Sequence, residues 1–257
     1  MDSLSSAMSR RSKTANWFFK NVIKNEANRL SKYEDNLASV FHAQTIISKQ
    51  DFELLPLHNK SNLQIIPNGV DLKNFKPIEI AKDFDFVFVG NMAYPPNVDA
   101  VCYFAEEIFP LILEKKPESN FLISGTQPTS RVLGLASKNI KITGFVKDIT
   151  NSYARAKVFV APLRQGAGLQ NKLLEAMAME LPFVSTPIAY NALGLAMDIN
   201  LCADNKIAFA ENCIKFIDDE KLRNSTGIAL RKFTENQYSW QMQSKKLNEI
   251  FNKLIQH

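Results

Sequence analysis

The sequence predicts an α/β fold, a doubly wound parallel sheet with a helical segment ahead of it. Three observations predict it. From residue 84 onward, short apolar runs alternate with stretches of helical period. Two of the runs, FDFVFV at 84–89 and VFVAPL at 158–163, are nearly continuous in apolar residues, as strands covered on both faces must be. Glycine also recurs where the runs end, at Gly90, Gly125, Gly144, Gly166 and Gly168.

Taken in order, residues 15–43 read as one long helix, because Phe19, Ile23, Ala27, Leu30, Leu37 and Phe41 fall near helical or heptad spacing. Residues 43–48 read as a short strand. A polar stretch then runs to the turn Pro67-Asn68-Gly69, whose Asn-Gly pair favours positive φ. The sheet strands are expected at 84–89, 120–124, 140–143, 158–163, 182–185 and 199–202. The clearest helix spans 98–115, with Val98, Val101, Cys102, Ala105, Ile108, Phe109 and Ile112 on one stripe. Pro96 and Asn97 suit its start. A further helix begins near Gln170 or Asn171, and Leu247, Ile250, Phe251 and Leu254 mark a C-terminal one. There is no internal repeat and no low-complexity tract.

At 257 residues and 46% hydrophobic content, the chain has the composition of a soluble globular protein of one or two domains. No apolar run approaches the roughly 18–20 residues that span a bilayer. The first residues lack the apolar core of a secretory signal. Cys102, Cys202 and Cys213 are odd in number, far apart and set in apolar patterns. They read as buried thiols of a reducing compartment, so the cytoplasm is expected and neither a disulfide framework nor a metal site is. The net charge is +5 but uneven: Arg10, Arg11, Lys13, Lys20, Lys24, Arg29 and Lys32 face one acid, Glu26. A basic helix beside Trp17, Phe18 and Phe19 has the make-up to sit at an anionic membrane surface, and equally that of a solvated face. Nucleic acid is not expected as a partner, since no recognition-helix or aromatic-basic strand motif accompanies the charge.

In sheets of this kind ligands bind beyond the carboxyl ends of the strands. The stretch RQGAGLQNKLLEAMAMELP, residues 164–182, lies there. Gly166, Ala167 and Gly168 leave main-chain N–H groups unobstructed just before a helix whose first N–H groups have no internal partner. Such a terminus favours an anion, phosphate above all. Lys172 in the first turn adds a full positive charge, against the helix dipole unless an anion offsets it. Glu175 follows one turn along the same side, and a carboxylate accepts two hydrogen bonds from the vicinal hydroxyls of a ribose. An ordinary surface Lys–Glu pair after a tight turn has the same spacing.

The chain resembles a known family on several ordered motifs: Asn68-Gly69-Val70-Asp71 with Phe75 and Pro77, then FVFVGNMAYPPNVDAVCYF, ITGFV and VFVAPLRQGAGLQNKLLEAMAMELPFVST. These look like the nucleotide-binding half of a retaining group 1 (family 4) glycosyltransferase of GT-B fold. The segment from Tyr94 to Ala100 is most similar to sugar transferases associated with exopolysaccharide export. The resemblance covers residues 64–235. It implies a Rossmann-like nucleotide-sugar domain at 67–235, a helical remnant of an N-terminal acceptor domain at 1–66, and a C-terminal helix at 236–257 packing back on that remnant. It implies a UDP- or GDP-sugar donor, no obligatory metal or other cofactor, and transfer to a glycan or lipid-linked acceptor in cell-envelope polysaccharide synthesis, in the cytoplasm or at the inner face of the membrane. Carried over by position, Glu175 holds the ribose, and Lys172 with the N–H groups of Gly168, Leu169 and Gln170 contacts the diphosphate. Phe145 and Val146, after Gly144, border the base; Gly90 and Asn91 lie near the phosphates.

Three positions depart from the family pattern. Ala167 stands where many members carry a glutamate against the donor sugar. Asn91 and its neighbours lack the Arg and Lys that often follow the first strand, so Lys172 and Arg164 must supply the positive charge. Glu180 stands where a helix-capping glycine is common, at a cost of about 1 kcal/mol if the position is left-handed. Residues 1–83 are too few for a whole acceptor domain. The expected function is therefore a glycosyltransferase, or its donor-binding half completed by a separate acceptor-domain chain. The alternative is a non-catalytic nucleotide-sugar-binding module. A GT-B epimerase is a weaker option, lacking evident acid–base residues.

Overall fold

The computed structural model describes residues 16–165, 168–196 and 200–255, together with residues 4, 5, 8, 9 and 12. From residue 16 onward, chain order runs through helix α1 (Trp17–Val40), strand β1 (Gln44–Ile46), the short helix α2 (Lys49–Leu54) and strand β2 (Leu63–Ile65). β1 and β2 pair in parallel as a small separate sheet over Ile46, Leu55 and Leu63. Helix α2 and strand β2 fall in the stretch read only as polar. They are too short, and β2 too exposed, to leave a periodic signal. Asn62 closes the end of α1, its amide donating to the carbonyls of Ala38 (2.9 Å) and Phe41 (2.7 Å).

The main sheet is built from β3 (Phe84–Val89), β4 (Phe121–Ser124), β5 (Ile140–Ile142), β6 (Ala156–Ala161) and β7 (Phe183–Ser185). All neighbours are parallel, in the order β5-β4-β3-β6-β7. The chain moves outward from β3 to β5, then returns to β6 on the other side of β3. That reversal, between β3 and β6, is the switch point of a doubly wound sheet. Both central strands are buried except at one residue each, Asp85 and Lys157, which form an ion pair of 2.8 Å.

The expected strand at 199–202 is not one. Cys202 makes a single parallel bridge to Ser185, and Ile199 lies outside the described residues. Nor is the expected helix at 98–115 one regular helix. α3 (Pro95–Tyr103) passes through a π turn at 104–108 into α4 (Phe109–Lys115). Pro110 explains the turn, since it has no N–H to bond the Glu106 carbonyl and its ring clashes with it in α geometry. Phe104 in that turn anchors the core, with Phe121 at 4.7 Å and Phe86, Phe109 and Phe209 around it.

The remaining helices are α5 (Ser130–Leu133), α6 (Thr150–Ala154), α7 (Asn171–Ala178), α8 (Pro187–Asn191), α9 (Lys206–Asp218), α10 (Glu220–Tyr238) and α11 (Trp240–Ile255). None of the described helices is long and apolar enough to cross a membrane. The segment before β3 is tied to the last two helices. Val70 N–H donates to Tyr238 O at 2.7 Å, and a Cβ on Gly69 would lie 2.6 Å from the Trp240 ring. Only glycine fits there.

Candidate functional site

The carboxyl ends of β3 and β6 meet the N-terminus of α7, and the glycines there differ in purpose. A Cβ on Gly125 would lie 1.7 Å from the Gly90 carbonyl oxygen, and its φ is +146°. A Cβ on Gly90 would lie 2.6 Å from Nδ2 of Asn97 and 3.3 Å from Nζ of Lys172. These two glycines make room for the protein's own groups. Gly144 (φ +67°) has nothing within 4 Å, so it serves the turn, and the buried Gly168 has φ +82°. Gly166 and Ala167 lie outside the described residues.

Helix α7 starts at Asn171 after an extended Gln170, whose side chain makes no cap hydrogen bond. Asn68, in the segment between β2 and β3, reaches it instead: its amide donates to Asn171 Oδ1 at 3.0 Å. The turn expected at 67–69 is not formed, since neither Asn68 nor Gly69 takes a positive φ. The helix buries Leu173, Leu174, Ala176, Met177 and Ala178, so Lys172 and Glu175 share the flank turned to the strand ends. Lys172 Nζ lies 4.4 Å from the centroid of the Phe88 ring and donates to Asn97 Oδ1 at 2.5 Å. Burial, partly offset by Glu175, brings its pKa down to about 8. Glu175 Oε2 accepts the Tyr153 hydroxyl at 2.6 Å. Burial raises the Glu175 pKa against the lowering effects of that hydrogen bond and of Lys172. Burial, then Glu175, pushes Tyr153 well above the ordinary phenol value, so it stays a neutral donor.

Lys172 and Glu175 are not an ion pair within 4 Å; each is partnered by a neutral side chain. That separates them from the surface pair their spacing also allowed. Arg164 is different. Its guanidinium grips Asp99 with two bonds, 3.1 and 2.5 Å, and lies 4.3 Å from the Tyr103 ring centroid. Asp99 raises its pKa further. The positive charge expected from Arg164 is therefore neutralised within the chain, which leaves Lys172, among the described residues, as the cation beside Gly90.

Asn91 is exposed and folds into an Asx turn, its Oδ1 accepting from Ala93 N–H at 2.9 Å. Phe145 is 75% exposed beyond β5, with Val146 half-buried behind it. Leu169 is buried and Gln170 half-buried, on the approach to α7. Glu180 ends this helix with φ +55°, the left-handed conformation in which the Leu181 N–H bonds Ala176 O at 3.0 Å. The sequence reading missed Asn97, Asp99 and Tyr153. Asn97, taken as a helix-start residue, is buried in the first turn after Pro95, and Tyr153 is fully buried in α6.

Grooves lie elsewhere, among them one along α11 at Trp240 and Ser244 and one under the opposite end of the sheet at Lys82 and Lys116. In the latter, Lys157 is paired with Asp85 and Lys116 with Asp218, and Lys82 donates to the Ala156 carbonyl. Among the described residues no three His, Cys, Asp or Glu side chains gather as they would around a metal ion.

Comparison with known proteins gives the family and the fold. A family model described as "Glycosyl transferases group 1" matches residues 83–219. A GDP-mannose-dependent phosphatidylinositol monomannoside mannosyltransferase of Corynebacterium glutamicum is 25% identical over 210 residues, 72% of this chain and 55% of that protein. The capsular polysaccharide biosynthesis glycosyltransferase CapM of Staphylococcus aureus is 29% identical over 160 residues, 57% of this chain and 41% of that one. The chain thus spans about half the length of these curated relatives. Among solved structures, Anabaena HepE in complex with UDP has a TM-score of 0.74 at 12% identity, covering 88% of this chain and 68% of its own. TarM of S. aureus, also solved with UDP, has 0.72 at 18% identity, over 87% and 46%. At these identities the likeness is one of fold.

Proposed function

The chain belongs to the group 1 glycosyl transferases, and from that premise we propose that it forms the donor side of a retaining, family 4 GT-B enzyme. One observation carries the reading. Lys172 and Glu175 stand one turn apart at the open N-terminus of α7, each held by a neutral partner and not joined to the other as an ion pair within 4 Å. A cation and a carboxylate left in that state suit a diphosphate and a ribose. The HepE and TarM complexes with UDP, proteins of the same fold, support a nucleotide here.

In this reading Glu175 accepts the ribose hydroxyls with the lone pairs that Tyr153 does not use. Lys172 and the N–H groups from Gly168 to Lys172 hold the diphosphate, with Gly90 and Asn91 beside it. Phe145 and Val146 flank the base. As the bond from sugar to diphosphate breaks, negative charge builds on the departing phosphate. The ammonium and the helix N-terminus already face it, so they stabilise the transition state without reorganising. That supplies the charge a metal supplies in other transferases. The donor is a UDP- or GDP-sugar. The acceptor, a glycan or a lipid-linked sugar of the cell envelope, is bound by a domain or chain beyond residues 67–235. Residues 1–66 and the last helix belong to that acceptor side, which works at the inner face of the membrane.

Calorimetry with UDP, GDP and their nucleosides tests the reading. Lys172→Ala should weaken the diphosphate and leave the nucleoside unchanged. Glu175→Ala should weaken both, by about 1–3 kcal/mol, the scale of hydrogen bonds to a charged group. Folded variants that bind UDP and GDP as the parent does would overturn it.

A further inference from the structure

The segment Tyr94–Ala100 was singled out only by resemblance, and the donor reading gives it no task. Its geometry points to one. Asn97 is buried in the first turn of α3, and both ends of its amide are engaged. Oδ1 accepts Lys172 Nζ at 2.5 Å, and Nδ2 donates to the Asn91 carbonyl at 2.9 Å. The amide crosses the space a side chain at Gly90 would fill. One side chain therefore joins the loop after β3 to the first turn of α7, across the switch point.

We propose that Asn97 is a positioning residue for the donor diphosphate: it aims the Lys172 ammonium over the Gly90–Asn91 backbone. The inference rests on the donor reading above. A free lysine stem has many rotamers, and ordering it costs entropy at the moment of binding. Here the chain orders it beforehand, between an amide oxygen and the Phe88 ring, so the cation meets the phosphate without searching. An amide is suited to the task because it is neutral. A carboxylate at 97 would hold the ammonium as firmly but would cancel the charge the phosphate needs. Asp99, two residues on, does just that to Arg164. The same turn of α3 thus keeps one cation available and withdraws another.

The test is calorimetry of the full chain with UDP or GDP, whichever binds tighter, and with the matching nucleoside. Asn97→Ala should weaken the diphosphate roughly tenfold, the loss of one charge-assisted contact, and shift the nucleoside less than twofold. Lys172→Ala should weaken the diphosphate at least as much, and the double variant should be no weaker than Lys172→Ala alone, because Asn97 acts through the lysine. Equal losses for nucleotide and nucleoside, or additive losses in the double variant, would show a merely structural asparagine and overturn the proposal. If Lys172→Ala itself leaves the diphosphate untouched, the donor reading falls and the proposal with it. Should Asn97→Ala not fold, the near-isosteric Asn97→Asp decides. It should move the alkaline limit of diphosphate binding to higher pH, since Glu175 and Tyr153 are the other titratable groups against Lys172 and neither is altered. An unmoved limit would overturn the proposal.

Discussion

The hydroxyl of Tyr153, a fully buried residue of α6, donates to Glu175 Oε2 at 2.6 Å and also lies 3.4 Å from the Lys172 carbonyl. The tyrosine stacks on Phe159 of β6, so its position is set by the sheet. It occupies one oxygen of the carboxylate from below.

Tyr153→Phe should keep the fold, because the ring packing survives, while the carboxylate loses a donor that favours its ionised form. The Glu175 pKa should rise further above its ordinary value. Nucleotide affinity, which needs the ionised form, should then fail at a higher pH on the acid side than in the parent. Calorimetry across the acid limb checks it, and an unshifted limb would count against Glu175 as the ribose ligand.

Nucleotide affinity should also fall on the alkaline side. The Lys172 pKa is about 8 in the free chain, and a diphosphate prefers the ammonium to the amine. Below that value the lysine is charged and binding is full; as pH rises through it, affinity should drop, by up to about tenfold per unit. The nucleoside, which lacks the phosphates, should show no such limb. Titrations from about pH 5 to about pH 10 would show whether the two ligands part company there.

The strand-end glycines should separate by substitution. Gly125→Ala would drive a methyl into the Gly90 carbonyl at a φ few L-residues adopt, and should cost more than about 3 kcal/mol or prevent folding. Gly144→Ala meets open space and should cost only about 1 kcal/mol for its left-handed backbone. Chemical denaturation of both variants measures the difference.

Glu180→Gly should stabilise the chain. Glu180 carries φ +55° at the end of α7, a conformation that costs a non-glycine residue about 1 kcal/mol. The loss is small: its 3.9 Å contact with Arg231 is loose, and Arg231 keeps Glu235 at 2.8 Å. A rise of roughly 2–4 °C in Tm is expected for a protein of this size. A fall would mean that Glu180 is held for another reason.

Most of the sheet was legible because burial on both faces imposes a local signature. The run at 84–89 became a strand to the residue, and the runs at 120–124, 140–143 and 182–185 each became a strand one residue shorter. Strand β6 begins two residues early because Lys157, polar in sequence, is neutralised by Asp85 on the neighbouring strand. The π turn left no mark in a hydrophobic stripe, which continues through it. Strand β2 was invisible because three residues, one buried and two exposed, carry no period.

The sequence by itself determined the alternation of strand and helix, the parallel sheet, and the placing of Lys172 and Glu175 one turn apart beyond a strand end. Those follow from periodicity and from the geometry of a single helix, which depend on near neighbours alone. Only the tertiary structure decided which charges remain for a ligand. Arg164 meets Asp99, Lys172 meets Asn97 and Glu175 meets Tyr153 across 65, 75 and 22 positions of chain. It also decided that Gly90 and Gly125 clear space for the chain's own amide and carbonyl. Pairings of that length are set by how the strands are ordered in the sheet, and no local pattern in the sequence encodes which side chain a charge will find there.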